Sequence, residues 1–352
     1  MVIPAQTGIH DRLRLQIPAF AGMTVSKLSG TALAIAAVVV IAAAVVSMFK
    51  LPGKSYSAPL EPLTAIETEI AANLRRHVTA VASEEHNLFK PSALEAAARY
   101  IERELAAMGY APVPQPYDTH AGRVRNIEAA LPGSDPETIV VGAHYDSMMG
   151  SPGANDNGSG VAAALELARL LRAASLRRTV RFVWFVNEEV PFYRGDDMGS
   201  RRYVALVRAR GDRIAAMFSL ETIGYYADTP GSQRYPSPLD LLYPDSGNFI
   251  GFVSNIASRA LLKDSIGAFR AHARFPSEGV AAPAFLPGVD WSDHASFWEA
   301  GLPALMITDT ALYRYPHYHS ASDTPDKLDY DRLARVVSGL RGMLIELAGN
   351  RL

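Results

Sequence analysis

The sequence predicts an α/β fold: a mixed, mostly parallel central sheet with helices on both faces, preceded by an N-terminal transmembrane helix. Three observations predict it. From residue 63 to the end, helical and strand-like patterns alternate without fixed-period repeats or low-complexity runs, as they do when helices connect the strands of one sheet. The runs "TIVVGAH" and "TVRFVWFVN" are apolar almost without a break, as strands buried on both faces are. The third is residues 29–49, "SGTALAIAAVVVIAAAVVSMF", an uncharged apolar run of about the 20 residues that cross a bilayer core.

Taken in order, residues 1–28 form an N-terminal segment whose first 22 residues lack matching periodicity and resemble translated intergenic repeat sequence, so Met23 is the expected start. Lys27 on one side and Lys50 and Lys54 on the other flank the span 29–49. A cleaved signal peptide has a shorter apolar core and a small-x-small site. The expectation is therefore an uncleaved membrane anchor with the bulk of the chain extracytoplasmic, periplasmic or extracellular. Residues 50–62 read as a linker and 63–352 as one domain.

Within that domain, 64–79 and 92–108 are helical, the second placing Leu94, Ala97, Ala98, Ile101, Leu105 and Met108 on one face at helical spacing. Strands follow at 124–131 and 137–144, then a helix beginning near Gly158. Further strands lie at 179–187, 213–224 and 303–309, and an amphipathic helix at 331–349 closes the chain. Residues 225–246, rich in Tyr, Pro, Asp and Gly, read as a long loop of the kind that usually carries function.

Composition narrows the chemistry. The 352 residues are 49% hydrophobic and 20% charged with a formal charge of −2, a globular balance with no general attraction for nucleic acid. There is no cysteine, which removes disulfides, thiolate nucleophiles and thiolate zinc sites. Any metal must be held by histidine and carboxylate.

Those residue types gather at one kind of place. In open α/β sheets ligands bind beyond the carboxyl ends of the strands. "IVVGAH" ends in His144, "FVWFVN" runs into Glu188 and Glu189, and "AAMFSL" runs into Glu221. The loop "GANDNGSG" adds Asp156 at a helix start, and the loop after "PALMITD" adds His319. Singly, each has an ordinary explanation as a strand end or helix cap. Together, two histidines and several carboxylates suit zinc, manganese or cobalt. Five such groups suffice for two metals about 3.5–4 Å apart if one carboxylate bridges, and Asp156 in its flexible turn is the expected bridge. Neighbouring side chains at a strand end point oppositely, so Glu189 is assigned as a ligand and Glu188 as general acid and base.

The segments "HYDS", "GANDNGSGVA", "FVWFVNEE", "MGS", "SLETIGY", "SDHASFWEAGLPALMITD" and "YHSASDTPDKLD" resemble, in order over residues 137–330, the dizinc peptidases of metallopeptidase family 28. The resemblance implies the dizinc exopeptidase fold and two Zn2+ ions, with His144 and Glu221 on one, Glu189 and His319 on the other, and Asp156 between. It implies that Asp146 hydrogen-bonds the free nitrogen of His144 and that Tyr318 stabilises the oxyanion. It also places Asp293 and His294 in a supporting polar network. Many relatives carry Asp where this chain has Glu221, and "EVPFYRGDDMGS" is longer and more polar than its counterpart in many aminopeptidases. That segment and the 225–246 loop, with Tyr225, Tyr226 and Tyr235, are expected to shape a specificity pocket. Motif spacing leaves no room for an inserted protease-associated domain.

The resulting expectation is a zinc aminopeptidase acting on peptides. The alternatives are a carboxypeptidase for acidic peptides using Arg194, Arg201 and Arg202, a one-zinc glutaminyl cyclase, or a non-catalytic receptor domain.

Overall fold

Strand register shows why the sheet can present side chains along one edge. The computed structural model describes residues 51–237 and 239–349, together with Ile35 and Val38. The segment Met48–Leu352 forms one compact unit. Apart from Ile35 and Val38, the span expected at 29–49 lies outside the described residues; among the described residues no helix is long and apolar enough to cross a membrane.

The chain opens with α1 (Ala65–Val81) and α2 (Pro91–Ala107). A reciprocal cap starts α1: the Glu67 amide donates to Thr64 Oγ1, and Glu67 Oε2 accepts from the Thr64 amide, satisfying two otherwise orphaned donors. Then come β1 (Val113–Thr119), β2 (Gly122–Leu131), β3 (Asp135–His144), α3 (Gly160–Leu171), β4 (Arg178–Phe185), α4 (Gly199–Arg210) and β5 (Arg213–Glu221). The remainder is β6 (Ile250–Ser254), α5 (Arg259–His272), β7 (Ser277–Ala281), α6 (His294–Glu299), β8 (Ala304–Thr308) and α7 (Tyr330–Gly349).

The eight strands lie in the order β1-β2-β4-β3-β5-β8-β6-β7. Pairs β3/β4, β3/β5, β5/β8 and β6/β7 are parallel; β1/β2, β2/β4 and β6/β8 are antiparallel. The chain passes from β3 to a neighbour on one side and then to β5 on the other. This makes the C-terminal end of β3 a topological switch point, where a crevice opens. His144 is its last residue.

Alternation divides the core. Ile139, Val141 and Ala143 join one buried cluster with α1, α2, α3, α5 and α7, whereas Val140 joins Phe185, Tyr203 and Phe297 on the other face. Each large apolar side chain buried this way is worth about 1.5–3 kcal/mol, against roughly 0–1 kcal/mol for an exposed ion pair. The frame behind the strand ends is therefore held by apolar burial.

The structure departs from the sequence reading in four places. The strands expected to reach Asn187 and Gly224 stop at Phe185 and Glu221, since Asn187 and Thr222 adopt positive φ of 61° and 43°. Regular helix starts at Gly160, after an irregular turn Ala154–Ser159. The edge strand β1 carries Pro114 and Pro116, tolerated only where one side of the strand lacks a partner. The short β6 and β7 complete the sheet, and they and the helices α4, α5 and α6 are elements the sequence reading did not assign.

Candidate metal centre

The end of β3 fixes the first imidazole. His144 is fully buried and its Nδ1 lies 3.0 Å from the Asp146 backbone carbonyl. A carbonyl only accepts, so Nδ1 carries a proton and Nε2 is the nitrogen turned to the crevice, where it could ligate a metal. The expected bond between Asp146 and His144 is thus made by the Asp146 backbone, while its carboxylate lies 3.7 Å away, beyond hydrogen-bond reach. Its oxygens instead accept from the amides of Glu188 (3.1 Å) and Glu189 (3.2 Å). Asp146 thus brackets the ends of β3 and β4 together, and its own backbone sets the histidine tautomer.

Asp156 is aimed by a turn that tolerates no larger residue at Gly153. That glycine has φ +69°, and a Cβ there would lie 2.6 Å from the Asp156 carbonyl oxygen. Gly160 is equally confined, since a Cβ would meet the Leu220 carbonyl oxygen at 2.3 Å. Asp323 holds the turn from outside: Oδ1 accepts from the Asn155 amide (2.8 Å), Oδ2 from the Asp156 amide (3.1 Å), and the Tyr315 hydroxyl donates to Oδ1 (2.7 Å). Asn155 in turn donates to Asp309 Oδ2 (2.8 Å). Asp323 and Asp309 lie within the recognised segments, but no local pattern marks them, because their partners are more than 150 residues away in sequence.

The remaining groups converge on Asp156. His144 Nε2 lies 3.3 Å from Asp156 Oδ1 and 3.3 Å from Glu221 Oε2. His319 Nε2 lies 3.0 Å from Asp156 Oδ2 and 3.4 Å from Glu189 Oε2. Ser292, also unassigned from the sequence, donates to Glu221 Oε2 at 2.8 Å. His319 is on the open side, its side chain 31% exposed, with Tyr318 stacked on it at 3.8 Å between ring centroids. Glu188 Oε2 stands 3.9 Å from His144 Nε2.

The charge balance favours a cation. Burial pushes Glu189 and Glu221 up to about 7, Asp156 adding to the repulsion on both. Burial also drives Glu188 well above the carboxylate range, opposed by His144 and reinforced by Glu221, Glu189 and Asp293. Burial would lower both imidazoles, yet the surrounding carboxylates hold His144 well above 6.5 and lift His319 to about 10. Too many buried carboxylates face too little positive charge. Three atoms aimed inward, His144 Nε2, Asp156 Oδ2 and Glu189 Oε1, have no hydrogen-bond partner, a costly arrangement unless something else satisfies them. The ligand atoms within 4.8 Å of one another form the groups His144/Asp156/Glu221, Asp156/Glu189/His319 and His144/Glu188/Glu189. This nitrogen and oxygen donor set fits zinc.

Beside the cluster lies a pocket that Glu221 and Tyr318 help to line. From the 225–246 loop, Tyr235 and Tyr243 reach it, while Tyr225 and Tyr226 do not. The 190–198 segment does not line it either. Tyr193 donates to the Asp290 carbonyl oxygen and Arg194 pairs with the Asp290 carboxylate, so the segment braces the neighbouring loop. Arg201 pairs with Glu299 and Arg202 with Asp197, so among the described residues these arginines form no cluster in the pocket. His294 is buried with Nε2 2.9 Å from the Val289 carbonyl oxygen. Burial lifts the adjacent Asp293 to about 7.

Comparisons with known proteins agree with this arrangement. The profile of peptidase family M28 matches residues 126–343. The chain is 39% identical over 260 residues to Escherichia coli (strain K12) protein YfbL, spanning 71% of this chain and 80% of that one. It is 30% identical over 236 residues to a probable leucine aminopeptidase of Trichophyton verrucosum, spanning 63% of this chain and 57% of that protein. Among solved structures, the Legionella pneumophila LapA aminopeptidase matches with TM-score 0.63 and 20% identity, covering 84% of this chain and 78% of that one. The Fimbriiglobus ruber glutaminyl cyclase matches with TM-score 0.59 and 18% identity, covering 82% and 97%. Likeness at these last identities concerns the fold alone. With the profile spanning most of the sheet and all the residues of the cluster, the chain belongs to peptidase family M28 and is a metallopeptidase.

Proposed function

We propose that the chain is an aminopeptidase that works with two zinc ions. The observation that carries this reading is the position of Asp156, common to two ligand groups that each contain one histidine and one further glutamate. His144 and Glu221 would hold one ion, Glu189 and His319 the other, and Asp156 both. When bound, such ions polarise water and the scissile carbonyl.

The chain's own residues supply the rest. Glu188 belongs to neither of these two groups, and its carboxyl is pushed upward by burial, which suits a group that takes a proton and gives it back near neutral pH. Glu188 removes the proton of the attacking water and returns it to the leaving amine nitrogen. The Tyr318 phenol is kept protonated by burial and by the nearby Asp156, Glu189, Glu221 and Glu188, so it donates to the carbonyl oxygen as charge develops there. The pocket beside Glu221 and Tyr318 receives the first side chain of the peptide. Relatives described as probable leucine aminopeptidases support the exopeptidase direction. The carboxypeptidase reading loses its support with the three arginines paired elsewhere. A one-zinc cyclase shares the fold but would need only half of this ligand set. We further propose that residues 29–49 anchor the protein in a membrane with residues 63–352, taken as a single catalytic domain, on the extracytoplasmic side, a reading supported by the uncharged length of that run.

The test pairs metal analysis with kinetics on the full chain. About two zinc ions per chain are expected, and one or none sinks the two-ion reading. Free-amine peptides should be cleaved and N-blocked peptides spared. Glu188→Gln should lower kcat by about 10³-fold with bound zinc retained; turnover near the wild-type rate would remove Glu188 from its role.

A further inference from the structure

The pocket beside the cluster is apolar on most of its surface, yet a carboxylate stands at its far end. Register places that carboxylate with respect to the chemistry. Glu221 on β5 pairs with Thr308 on β8, Thr308 with Gly251 on β6, and Gly251 with Glu278 on β7. Paired residues face the same side of a sheet, and all four line this pocket. On the opposite face of β7, Ser277 Oγ accepts from Arg270, and a Cβ at Gly279 would meet Leu51 and Ile266. Glu278 therefore points away from α5 and toward the pocket. At position 251 the row has no side chain at all, which leaves its floor open between Thr308 and Glu278.

The surroundings of Glu278 lack a partner for its charge. Among the described residues, no hydrogen bond or ion pair reaches its carboxylate, and burial pushes the group upward with only the Arg270 field opposing. Both nearby phenols donate elsewhere, Tyr235 to the Pro244 carbonyl oxygen at 2.6 Å and Tyr243 to the Gly279 carbonyl oxygen at 2.8 Å. Arg270 is committed to Ser277 and to the carbonyl oxygens of Pro52 and Gly53. Arg234 lies on the pocket's exposed rim. Tyr235, Tyr243, Trp291 and Tyr313 line the way in, and aromatic faces favour a passing cation.

We propose that Glu278 is a specificity residue that receives the cationic end of a lysine or arginine side chain, so that this enzyme removes basic residues from peptide N-termini. The inference rests on the aminopeptidase reading. Its dimensions agree. Three inter-strand steps of about 4.8 Å separate the ends of the row by about 14 Å. An amine at the cluster, about 7 Å of extended lysine between its two nitrogens, and a terminal hydrogen bond of about 3 Å fill that interval. A leucine side chain would stop short of the carboxylate and gain nothing from it.

The experiment compares lysyl, arginyl, leucyl and norleucyl anilides on the zinc-loaded full chain, with free L-lysine and L-norleucine titrated calorimetrically alongside. Norleucine keeps the length of the carbon chain and lacks the ammonium. Wild type should favour lysyl over norleucyl by about 10- to 100-fold in kcat/KM, the worth of a charged hydrogen bond. Glu278→Gln, with an unchanged circular dichroism spectrum, should abolish or invert that ratio, and Glu278→Asp should restore part of it. Equal use of both anilides by wild type, or a ratio that Glu278→Gln leaves intact, overturns the proposal while the aminopeptidase reading stands. If no anilide is cleaved but L-lysine binds wild type and not Glu278→Gln, the aminopeptidase reading fails and the Glu278 site survives.

Discussion

At one end of the cross-strand row, Glu221 is buried beside His144 and Asp156 and receives a hydrogen bond from Ser292 at 2.8 Å. At the other end, Glu278 faces aromatic rings and an open floor at Gly251, and among the described residues no hydrogen bond or ion pair reaches its carboxylate, with Arg270 acting only through its field. The same residue type thus serves two purposes within one row. Where bonds are to be broken, the supporting atoms are over-determined: Asp146 ties two strand ends, and Asp323 pins a turn through two amides. Where a side chain is to be chosen, the structure leaves space and one unanswered charge, because selectivity comes from what the visitor completes.

The largest effect that would sharpen this contrast is expected at Asp156, the group common to both histidines. Asp156→Asn keeps the shape and removes the charge that His144 and His319 share. Bound zinc should drop from about two ions per chain to below one, and turnover should fall to the level of the chelated protein, since members of such a unit do not act additively. Elemental analysis beside kinetics decides it. Two ions retained in the variant would show that Asp156 does not bridge.

Tyr318 touches both halves: it lines the pocket and stacks on His319. Tyr318→Phe should cost about 10²-fold in kcat, the loss of one oxyanion donor. That loss should be the same for lysyl and norleucyl substrates, whereas the loss in Glu278→Gln depends on the side chain. A Tyr318→Phe penalty that varied with the side chain would move Tyr318 from chemistry to selection.

The two halves also differ in how much the sequence reveals. His144, Asp156, Glu188, Glu189 and Glu221 were legible because each follows a strong apolar strand or sits in a Gly- and Asn-rich turn, a local signal, whereas His319, in a loop with no Gly or Asn between residues 310 and 323, was legible only through the resemblance of its surrounding segment. The central strands β3, β4, β5 and β8 were legible for the same reason, apart from ends that positive φ at Asn187 and Thr222 shortened. The pocket half was not. β6 and β7 are five residues each and carry Gly251 and Gly279, so neither alternation nor length marks them. Glu278 acquires its meaning only from register with Gly251, Thr308 and Glu221, a relation between four strands that no window of sequence contains. The role of Asp146 was half legible: its proximity to His144 follows from spacing, but the choice between its carbonyl and its carboxylate depends on where β4 delivers the amides of Glu188 and Glu189.

The smallest of these effects is expected at Asp323, which touches no ligand atom. Its two oxygens accept from the amides of Asn155 and Asp156, and one also takes the Tyr315 hydroxyl. Burial lifts its carboxyl to about 6, yet three donors aimed at it leave no place for a proton-bearing replacement. In Asp323→Asn the side-chain NH2 must face an amide N–H in either flip, so one bond is lost and a donor meets a donor. The turn should loosen and Asp156 lose its aim, weakening zinc binding about 10- to 100-fold, as the loss of an outer partner does. Competition against a chelator of known affinity measures this directly, and added zinc should return activity to the variant. Unaltered affinity would mean that Gly153 and the fold around Gly160 suffice to place Asp156, and that the polar half of the molecule is less over-determined than its hydrogen bonds suggest.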